Sequence, residues 1–548
     1  MKMKSAKKVL LGGLIILLFS GFFTGSNDIY FEISKNIDLF GKVYKEVTFN
    51  YVEPIDPAQF MQAGIDGMLD ALDPYTMFID QNRKEDIDLI TNGKYGGIGI
   101  SIGIRGDRVT IVEVMDGYSS QRQGLRIGDV LIQADSIKIS PENIDQLSSL
   151  VKGDPGTIVH LKILRNDEKD TLNFNVVREE VIVKSLTYYG FYPKNSNNVY
   201  LKLTNFSRSA GDEVKRALLE LKSKREIKSI VLDLRGNPGG LLDVAVNICN
   251  EFLKKGKLVV STRGRDQTDE KKYYATQEPL AGNAKLVVLI NGGSASASEI
   301  TAGAIQDHDR GVILGTKSYG KGLVQTITPL DYNTSLKITT AKYYTPSGRC
   351  IQKIDYTKSN KVFTKPDSII KSSYFTDNKR IVYSGGGITP DTTIDYVIRG
   401  NITKDLLAKG MFFTFADHYY YMNEKQDFNN LDDNKIFNEF EKYLAEQKYV
   451  YHSEAEKEIN KMIADINGRS DAGILSADLD HVKKEFEKLD LTELKIYRDE
   501  ILREIKGELA ARFLGNDART EVYLKYDKQF EAALNILNDS TVYNNLLR

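Results

Sequence analysis

Residues 285–303 read KLVVLINGGSASASEITAG, which is an apolar strand, a turn of small residues and the beginning of a helix. The same order appears at Ser229–Leu234, an apolar run followed by a glycine-rich turn and the helical pattern of Leu241–Leu253. Val312–Leu314 is a third apolar run. Buried strands that alternate with helices predict right-handed crossovers and a sheet covered on its faces. The centre of the chain is therefore predicted to be an α/β domain.

Composition narrows the classes of function. The chain has 548 residues, 41% of them hydrophobic, and its 74 Lys+Arg and 75 Asp+Glu leave a net charge of -1. Because positive and negative charges balance, the chain is not expected to be a dedicated nucleic-acid-binding protein, which would be strongly basic, or an acidic disordered protein. Two cysteines, Cys249 and Cys350, are too few for a disulfide framework, and a single bridge between them is left open. The five histidines show no metal-ligand spacing, so a histidine-based metalloenzyme is not expected.

The first residues carry an export signal. Four lysines within the first eight residues precede an apolar run from Val9 to about Phe23. A basic segment followed by such a run is typical of a signal peptide, and an uncleaved membrane anchor is the other interpretation. We assign residues 1–26 to this segment. The rest of the chain is expected in the periplasm or on the outer face of the inner membrane, where the segment would anchor it.

Four regions follow this segment. Residues 27–90 are predicted to be helical, because apolar residues recur there at helical spacing. Residues 91–181 contain short β-branched runs and are predicted to form a β-rich domain. Residues 182–398 are the α/β core, and residues 399–548 are charged and helical, with Val482–Leu514 as one example.

Ser296 is the candidate nucleophile. A strand-to-helix turn exposes a hydroxyl, and the first N–H groups of the helix have no partner within the helix, so the Ala297 N–H could stabilise an oxyanion. The alternative is structural, because Ser296-x-x-Glu299 is a capping box. On these residues alone, helix capping is the favoured role.

Lys321 is the candidate base. His308 is followed by Asp309, but it lies about 18 Å along the same helix from Ser296 and is predicted to be a surface-loop residue. Lys321 follows the next strand and has a glycine on each side. A lysine acts as a base only when neutral, so burial would have to lower its pKa by about three units from about 10.4. Gln325 could hold the amine by a hydrogen bond without adding charge.

The serine turn, together with Tyr-Gly-Lys-Gly-x-Val-Gln downstream, resembles the C-terminal (tail-specific) processing peptidases, serine peptidase family S41. The resemblance implies Ser296 as nucleophile, Lys321 as base and Gln325 as its partner, at the family's spacings. Residues 233–240, DLRGNPGG, resemble the family's glycine loop and lack the pattern of a phosphate site. The oxyanion hole would then combine the Ala297 N–H with Gly239 or Gly240. No metal or cofactor is implied.

The β-rich region 93–181 resembles the family's PDZ module. Its carboxylate loop would be Tyr95, Gly96, Gly97, Ile98 and Gly99, since such glycines suit a nest of N–H groups that captures a terminal carboxylate. The sequence from Gly124 to Leu131 resembles the module's characteristic turn and strand. Asp135-Ser136 departs from the Asn-Gly that many PDZ domains have there. The resemblance covers about residues 70–395 and leaves the helical tail outside.

The resemblance implies a ClpP/crotonase-like S41 core with an inserted PDZ domain and helical N- and C-terminal regions. The expected function is a serine endopeptidase that cleaves exported proteins with accessible apolar C-terminal tails. Its partners would be proteins or peptides with free C-termini, with no nucleic acid, and a homo-oligomer or adaptor protein is left open. A non-catalytic PDZ tail-binding scaffold is the alternative. A trypsin-type protease with a PDZ domain would need a His…Asp…Ser set with a GNSGG-like segment, which we do not find.

Overall fold

A computed structural model of the chain describes residues 27–80, 93–165, 170–266, 268–356, 372–395, 399–466 and 473–548. The signal or anchor predicted over residues 1–26 lies outside these ranges. The chain forms two compact units. The first consists of Met1–Asp80, Gln325–Thr339 and Tyr356–Pro366, and the second contains the remainder. In the part of the chain that is described, no helix has the length and apolar character needed to cross a membrane.

The first unit contains the two helices that the N-terminal pattern predicts. They are α1 (Asn27–Asn50) and α2 (Pro57–Asp70). Asp56 caps α2, accepting hydrogen bonds from the N–H groups of Ala58 and Gln59 at 2.8 and 3.1 Å. The short strand β1 (Met77–Ile79) follows and pairs antiparallel with residues 335–337. The sequence pattern did not predict β1, because three residues are too few to show a period.

The second unit begins with the β-rich region. Its strands are β2 (Lys94–Gly97), β3 (Ile100–Arg105), β4 (Arg108–Val114), β5 (Val130–Ala134), β6 (Ile137–Lys138), β7 (Ile158–Leu164), β8 (Leu172–Val177) and β9 (Glu179–Ile182). The helices are α3 (Ser119–Gln123) and α4 (Ile144–Val151). The main sheet has the order β3-β4-β5-β7-β8, with β6 on β5, and β2 pairs with β9. The apolar sides of the sheet and of α4 share one buried cluster that includes Ile111, Leu131 and Leu147.

The α/β core is a six-stranded sheet. Its strands, in spatial order, are β10 (Leu186–Phe191), β11 (Asn198–Leu203), β12 (Ser229–Asp233), β15 (Lys285–Ile290), β16 (Val312–Gly315) and β21 (Thr392–Thr393). All neighbours are parallel except β10 and β11. The crossover helices are α5 (Ala210–Lys224), α6 (Leu242–Cys249) and α7 (Ala297–Asp307). They pack on one face of the sheet in a cluster that contains Leu232, Ile248 and Ile300. The predicted α/β architecture is confirmed.

The other face of this sheet is covered by the end of the chain. Helix α15 (Lys528–Asn538) contributes Phe530 and Ile536, and helix α16 (Ser540–Leu546) contributes Tyr543. These residues share a cluster with Val231, Leu289 and Leu314. The family resemblance covered about residues 70–395 and did not include the helical tail, whose last two helices pack on the sheet of the α/β core. The strands are apolar on both faces, so the second face also needs a cover, which stabilises the sheet by removing apolar surface from water.

The remaining elements lie in the second unit, except that the strands over residues 323–329 and 335–344 also contain residues of the first unit. Strands β13 (Leu258–Arg263) and β14 (Glu270–Tyr274) pair, and β13 also pairs with the end of β18 (Ser335–Tyr344). The other strands are β17 (Leu323–Pro329), β19 (Ser373–Phe375) and β20 (Ile381–Tyr383). The other helices are α8 (Asn401–Ala408), α9 (Met411–Asn423), α10 (Asp433–Glu446), α11 (Glu454–Ile466), α12 (Gly473–Ile496), α13 (Arg498–Leu514) and α14 (Asn516–Leu524). The predicted helix over Val482–Leu514 is therefore interrupted at Tyr497.

The two cysteines are free thiols, with Cys249 buried and Cys350 half-buried, so the bridge that the sequence left open does not form. Within the described ranges, no group of three or more histidine, cysteine or acidic side chains gathers where a metal ion could be held.

Candidate active site

The glycine loop after β12 packs against the turn that precedes α7. The carbonyl oxygen of Asn237 accepts hydrogen bonds from the Ala295 N–H and the Ser298 hydroxyl, both at 3.0 Å. Gly239 has φ 98°, and a Cβ there would lie 2.6 Å from the Ala295 oxygen and 2.9 Å from the Ala297 nitrogen. Only glycine permits this approach, so the loop and the turn form one closely packed assembly.

The two glycines of the predicted oxyanion hole differ in their N–H groups. The Gly239 N–H donates to Asn237 Oδ1 at 2.8 Å. Among the described residues, the Gly240 N–H has no acceptor, and neither has the Ala297 N–H at the first position of α7. Two backbone donors of this assembly are therefore available for a ligand.

Ser296 lies at the turn itself, directly before α7. Its φ of 54° is rare for a residue with a side chain and costs roughly 1–3 kcal/mol. Such strain at a strand-to-helix turn is a feature of nucleophile elbows. Ser296 is half-buried, whereas Ala295 and Ala297 on either side are buried. Ser296 and Glu299 also form a capping box. Ser296 therefore caps α7 and is partly accessible at the same time.

The carboxylate of Glu299 joins the serine turn to the lysine turn. Oε2 accepts from the backbone N–H groups of Ser296 and Lys321, each at 2.9 Å. Oε1 accepts from the Ser318 hydroxyl at 2.5 Å and from the Gly320 N–H at 2.7 Å. Glu299 is completely buried, and this burial raises its pKa to about 7, although the four hydrogen bonds act in the opposite direction. The sequence identified Glu299 only as a helix cap.

Two further buried residues hold the lysine turn, and no sequence pattern indicated either of them. Tyr343 donates from its N–H to the Gly322 carbonyl at 2.9 Å and from its hydroxyl to the Ser296 carbonyl at 3.2 Å. Gln352 Oε1 accepts from the Gly322 N–H at 2.6 Å. Lys321 itself is half-buried. Gln352 ends the segment 344–352, YTPSGRCIQ, and Tyr343 directly precedes it.

Two other candidates have their described hydrogen-bond partners outside the serine and lysine turns. His308 follows the end of α7, where its Nδ1 is 2.9 Å from Asp377 Oδ2 and its Nε2 is 2.7 Å from the Leu258 carbonyl oxygen. Its side chain is only 9% exposed, so the predicted surface-loop position was wrong. Gln325 belongs to the first unit, where its Nε2 donates to Thr339 Oγ1 at 3.1 Å.

The predicted carboxylate loop occupies the end of β2 and the residues that follow it. Tyr95, Gly96 and Gly97 lie in β2, which pairs with β9. The carbonyls of Ile98 and Gly99 accept from the N–H groups of Ser120 and Met115, respectively. Their own N–H groups donate to none of the described residues.

The neighbouring strand β3 pairs only with β4 in the part of the chain that is described, so its other edge is open. Ile102 of β3 and Ile144 and Leu150 of α4 are partly exposed at the margin of the buried cluster. The module thus combines free N–H groups, an open strand edge and an apolar margin.

Replacing Glu299 with glutamine is expected to lower kcat/KM about 100-fold. A glutamine amide has one acceptor oxygen, and its NH2 group would face two of the four donors. At least two hydrogen bonds that join the serine and lysine turns would be lost, and at roughly 1.5 kcal/mol each their loss corresponds to about 100-fold. Steady-state kinetics on a peptide substrate measures this change. Glu251→Gln is the matched control, because Glu251 is also buried but has Gln277 as its described hydrogen-bond partner.

The same carboxyl makes opposite contributions to stability and to assembly of the site. Because its pKa is raised from 4.5 to about 7, its contribution to stability is complete below pH 4.5 and is lost as pH rises through about 7, by roughly 3 kcal/mol. The ionised form, which can accept all four hydrogen bonds, predominates only above about pH 7. Denaturant unfolding at pH 5 and pH 8 should therefore depend on pH less in Glu299→Gln than in wild type. Equal dependence in the two proteins would contradict this role.

Three protein-family models match parts of the chain. Residues 197–361 match peptidase family S41, residues 110–165 match a PDZ domain, and residues 402–537 match a domain described as "Probable PDZ-protease, C-terminal helical domain". The chain is 33% identical over 318 residues to a "Probable CtpA-like serine protease" of Staphylococcus aureus, covering 58% of this chain and 62% of that protein. The solved structure of the photosystem II D1 C-terminal processing protease is 26% identical, with a TM-score of 0.36, and the match covers 64% of this chain and 85% of that one.

A carboxy-terminal-processing protease of Bartonella bacilliformis is 38% identical over 326 residues, which are 59% of this chain and 74% of that protein. The chain therefore belongs to the carboxy-terminal-processing proteases, which are serine peptidases of family S41 with a PDZ domain.

Proposed function

We propose that the chain is a serine endopeptidase that cleaves exported proteins with accessible apolar C-terminal tails, using Ser296 and Lys321 as a catalytic dyad. One observation carries the proposal. The Glu299 carboxylate accepts hydrogen bonds from the backbones of both residues, so one buried group holds the two turns together. A strained serine at a helix start and two free N–H donors beside it supply the other parts of an acyl-transfer site.

Neutral Lys321 takes the proton from the Ser296 hydroxyl, and the serine oxygen attacks the scissile carbonyl carbon. The N–H groups of Ala297 and Gly240 stabilise the oxyanion that forms, each contributing about 3 kcal/mol. Gly239 provides the close approach of the loop rather than a donor, because its N–H is already bonded to Asn237. Lys321 then protonates the leaving amine, and water hydrolyses the acyl-enzyme. The role of Gln325 in orienting the lysine amine stays a prediction from spacing.

The PDZ domain receives the substrate tail. The Ile98 and Gly99 N–H groups capture the terminal carboxylate, and the open edge of β3 pairs with the tail as an added strand. The apolar margin between β3 and α4 favours apolar tail residues. The predicted export signal places the enzyme outside the cytoplasm, where its substrates would be exported proteins.

Replacing Gly99 with alanine is expected to slow degradation of an unstructured protein with an apolar tail about tenfold, mainly through KM. Gly99 has φ 78°, and a Cβ there would lie 2.5 Å from the Tyr118 Cβ, so the loop must shift and the carboxylate loses donors. Cleavage of a short internal peptide without that tail should be unchanged. Rates on the two substrates measure the difference.

Gly106→Ala is the matched control, because Gly106 also has a positive φ of 62° but a Cβ there would meet nothing within 4 Å. Amidating the tail of the protein substrate should slow the wild-type enzyme by a similar factor. Wild-type rates for Gly99→Ala on the tailed substrate, or equal rates on free and amidated tails, would remove the PDZ loop from substrate binding.

A further inference from the structure

We propose that the C-terminal helical region positions the oxyanion hole, by holding Arg235 of the glycine loop with Asp527 and Gln529. The inference rests on the proposed function, in which the glycine loop supplies the Gly240 N–H. It assigns the helical region a part in catalysis in addition to covering the sheet. Asp527 and Gln529 act through Arg235 and are therefore positioning residues.

The guanidinium of Arg235 bridges two distant parts of the chain. On one side, Nη2 donates to Asp527 Oδ2 at 2.6 Å, and Nη1 donates to Asp527 Oδ1 at 3.1 Å and to Gln529 Oε1 at 2.8 Å. On the other side, Nε and Nη2 donate to the two oxygens of Asp233 at 2.9 and 2.5 Å. The planar guanidinium thus makes a fork toward each carboxylate, a geometry that lysine could not reproduce.

We call the group of Asp233, Arg235, Asp527 and Gln529 the clamp. Its three charged side chains are largely shielded from water. The side chains of Asp233, Arg235 and Asp527 are 4%, 18% and 21% exposed. Burial alone would raise the pKa of Asp233, but the charge and hydrogen bonds of Arg235 and a hydrogen bond from Tyr200 hold it below its usual value. Buried charges with several partners have one favourable arrangement, so the clamp restricts where Arg235 can lie.

Restricting Arg235 restricts the glycines that follow it. Asn237 attaches the loop to the serine turn, and the Gly236 N–H donates to Asn291 Oδ1 at 2.9 Å. Arg235 is the anchor on the opposite side, because its partners Asp527 and Gln529 lie at the start of α15. An oxyanion donor is effective only when it is aimed at the oxyanion position before reaction, so a loop that is free on one side would lose part of its stabilising effect.

Asp527→Asn tests the inference. Asparagine caps helices as well as aspartate does, so the N-cap of α15, where Asp527 accepts from the N–H groups of Gln529 and Phe530, is retained. The negative charge that pairs with the Arg235 guanidinium is lost. Asp539→Asn is the matched control, because Asp539 caps α16 in the same way through Thr541 and Val542 and has no ion pair among the described contacts.

For Asp527→Asn, we expect kcat on a short peptide to fall about tenfold with KM unchanged. The reason is that the oxyanion hole stabilises the transition state and not the bound substrate. Affinity for a peptide boronate, which forms a tetrahedral adduct with the serine, should fall by the same factor. Asp527→Glu should recover part of kcat, and Asp539→Asn should match wild type in all three measurements.

The outcomes separate the inference from the proposed function. Wild-type kcat in Asp527→Asn, a change confined to KM, or the same loss in Asp539→Asn would overturn the inference and leave the peptidase proposal intact. A loss of kcat without loss of boronate affinity would also overturn it, because the effect would then lie outside the oxyanion hole. Undiminished activity in Ser296→Ala would overturn the proposed function itself.

Discussion

Replacing Ser296 with alanine is expected to lower kcat by at least about 10⁴-fold, because no other hydroxyl in the turn can form the acyl-enzyme. The hydroxyl of Ser294 donates to the Leu234 carbonyl at 2.8 Å, and that of Ser298 donates to the Asn237 carbonyl at 3.0 Å. Both residues are buried, whereas Ser296 is half-buried. Degradation of an unstructured, apolar-tailed protein measures the loss.

Covalent labelling identifies the residue directly. A fluorophosphonate probe should modify the wild-type chain once, and mass mapping should place the label on Ser296. The label should be absent in Ser296→Ala and retained in Ser223→Ala, a control on the exposed end of α5. Wild-type degradation rates in Ser296→Ala would exclude Ser296 as the nucleophile. A wild-type chain that binds apolar tails but neither degrades them nor takes up the probe would instead favour the non-catalytic scaffold.

The local parts of this site could be predicted from sequence, and the parts that join distant segments could not. The apolar run of β15 and the small residues after it predict a strand, a turn and a helix, because each has its own local period or composition. Glu299 was visible as a cap because it lies three residues from Ser296. Its bonds to Gly320 and Lys321 join segments 21 and 22 residues away, and no local pattern reports such contacts.

The contacts of the C-terminal region with the α/β core could not be predicted from sequence either. The apolar residues of α15 predict a buried face, but they do not show which sheet that face covers. The ion pair between Arg235 and Asp527 spans 292 positions, and in the sequence each residue has the pattern of an ordinary charged residue. His308 is another example. It was predicted to lie at the surface, but its side chain contacts Asp377 and the Leu258 carbonyl, which are distant in sequence.

Replacing Lys321 with alanine is expected to lower kcat about 10³-fold, which is the contribution that a positioned general base makes. Lys321→Arg should be similarly inactive, because an arginine side chain remains protonated at every pH at which the protein is folded. Lys317→Ala is the matched control, since Lys317 is an exposed lysine of the same turn. More than a tenth of wild-type activity in Lys321→Ala, or full activity in Lys321→Arg, would exclude Lys321 as the base.

The pH dependence of kcat/KM tests the same assignment independently, provided that two groups are separated. Glu299 has a pKa of about 7 and must be ionised to hold the two turns, so wild-type activity should fall below about pH 7 for this reason alone. A lysine base must also be neutral, and its protonation would produce a second loss on the acid side. Glu299→Gln removes the first titration and keeps the second. Its residual activity should therefore still decline toward acid pH, and a flat profile between about pH 5 and 9 in that variant would argue against a lysine base.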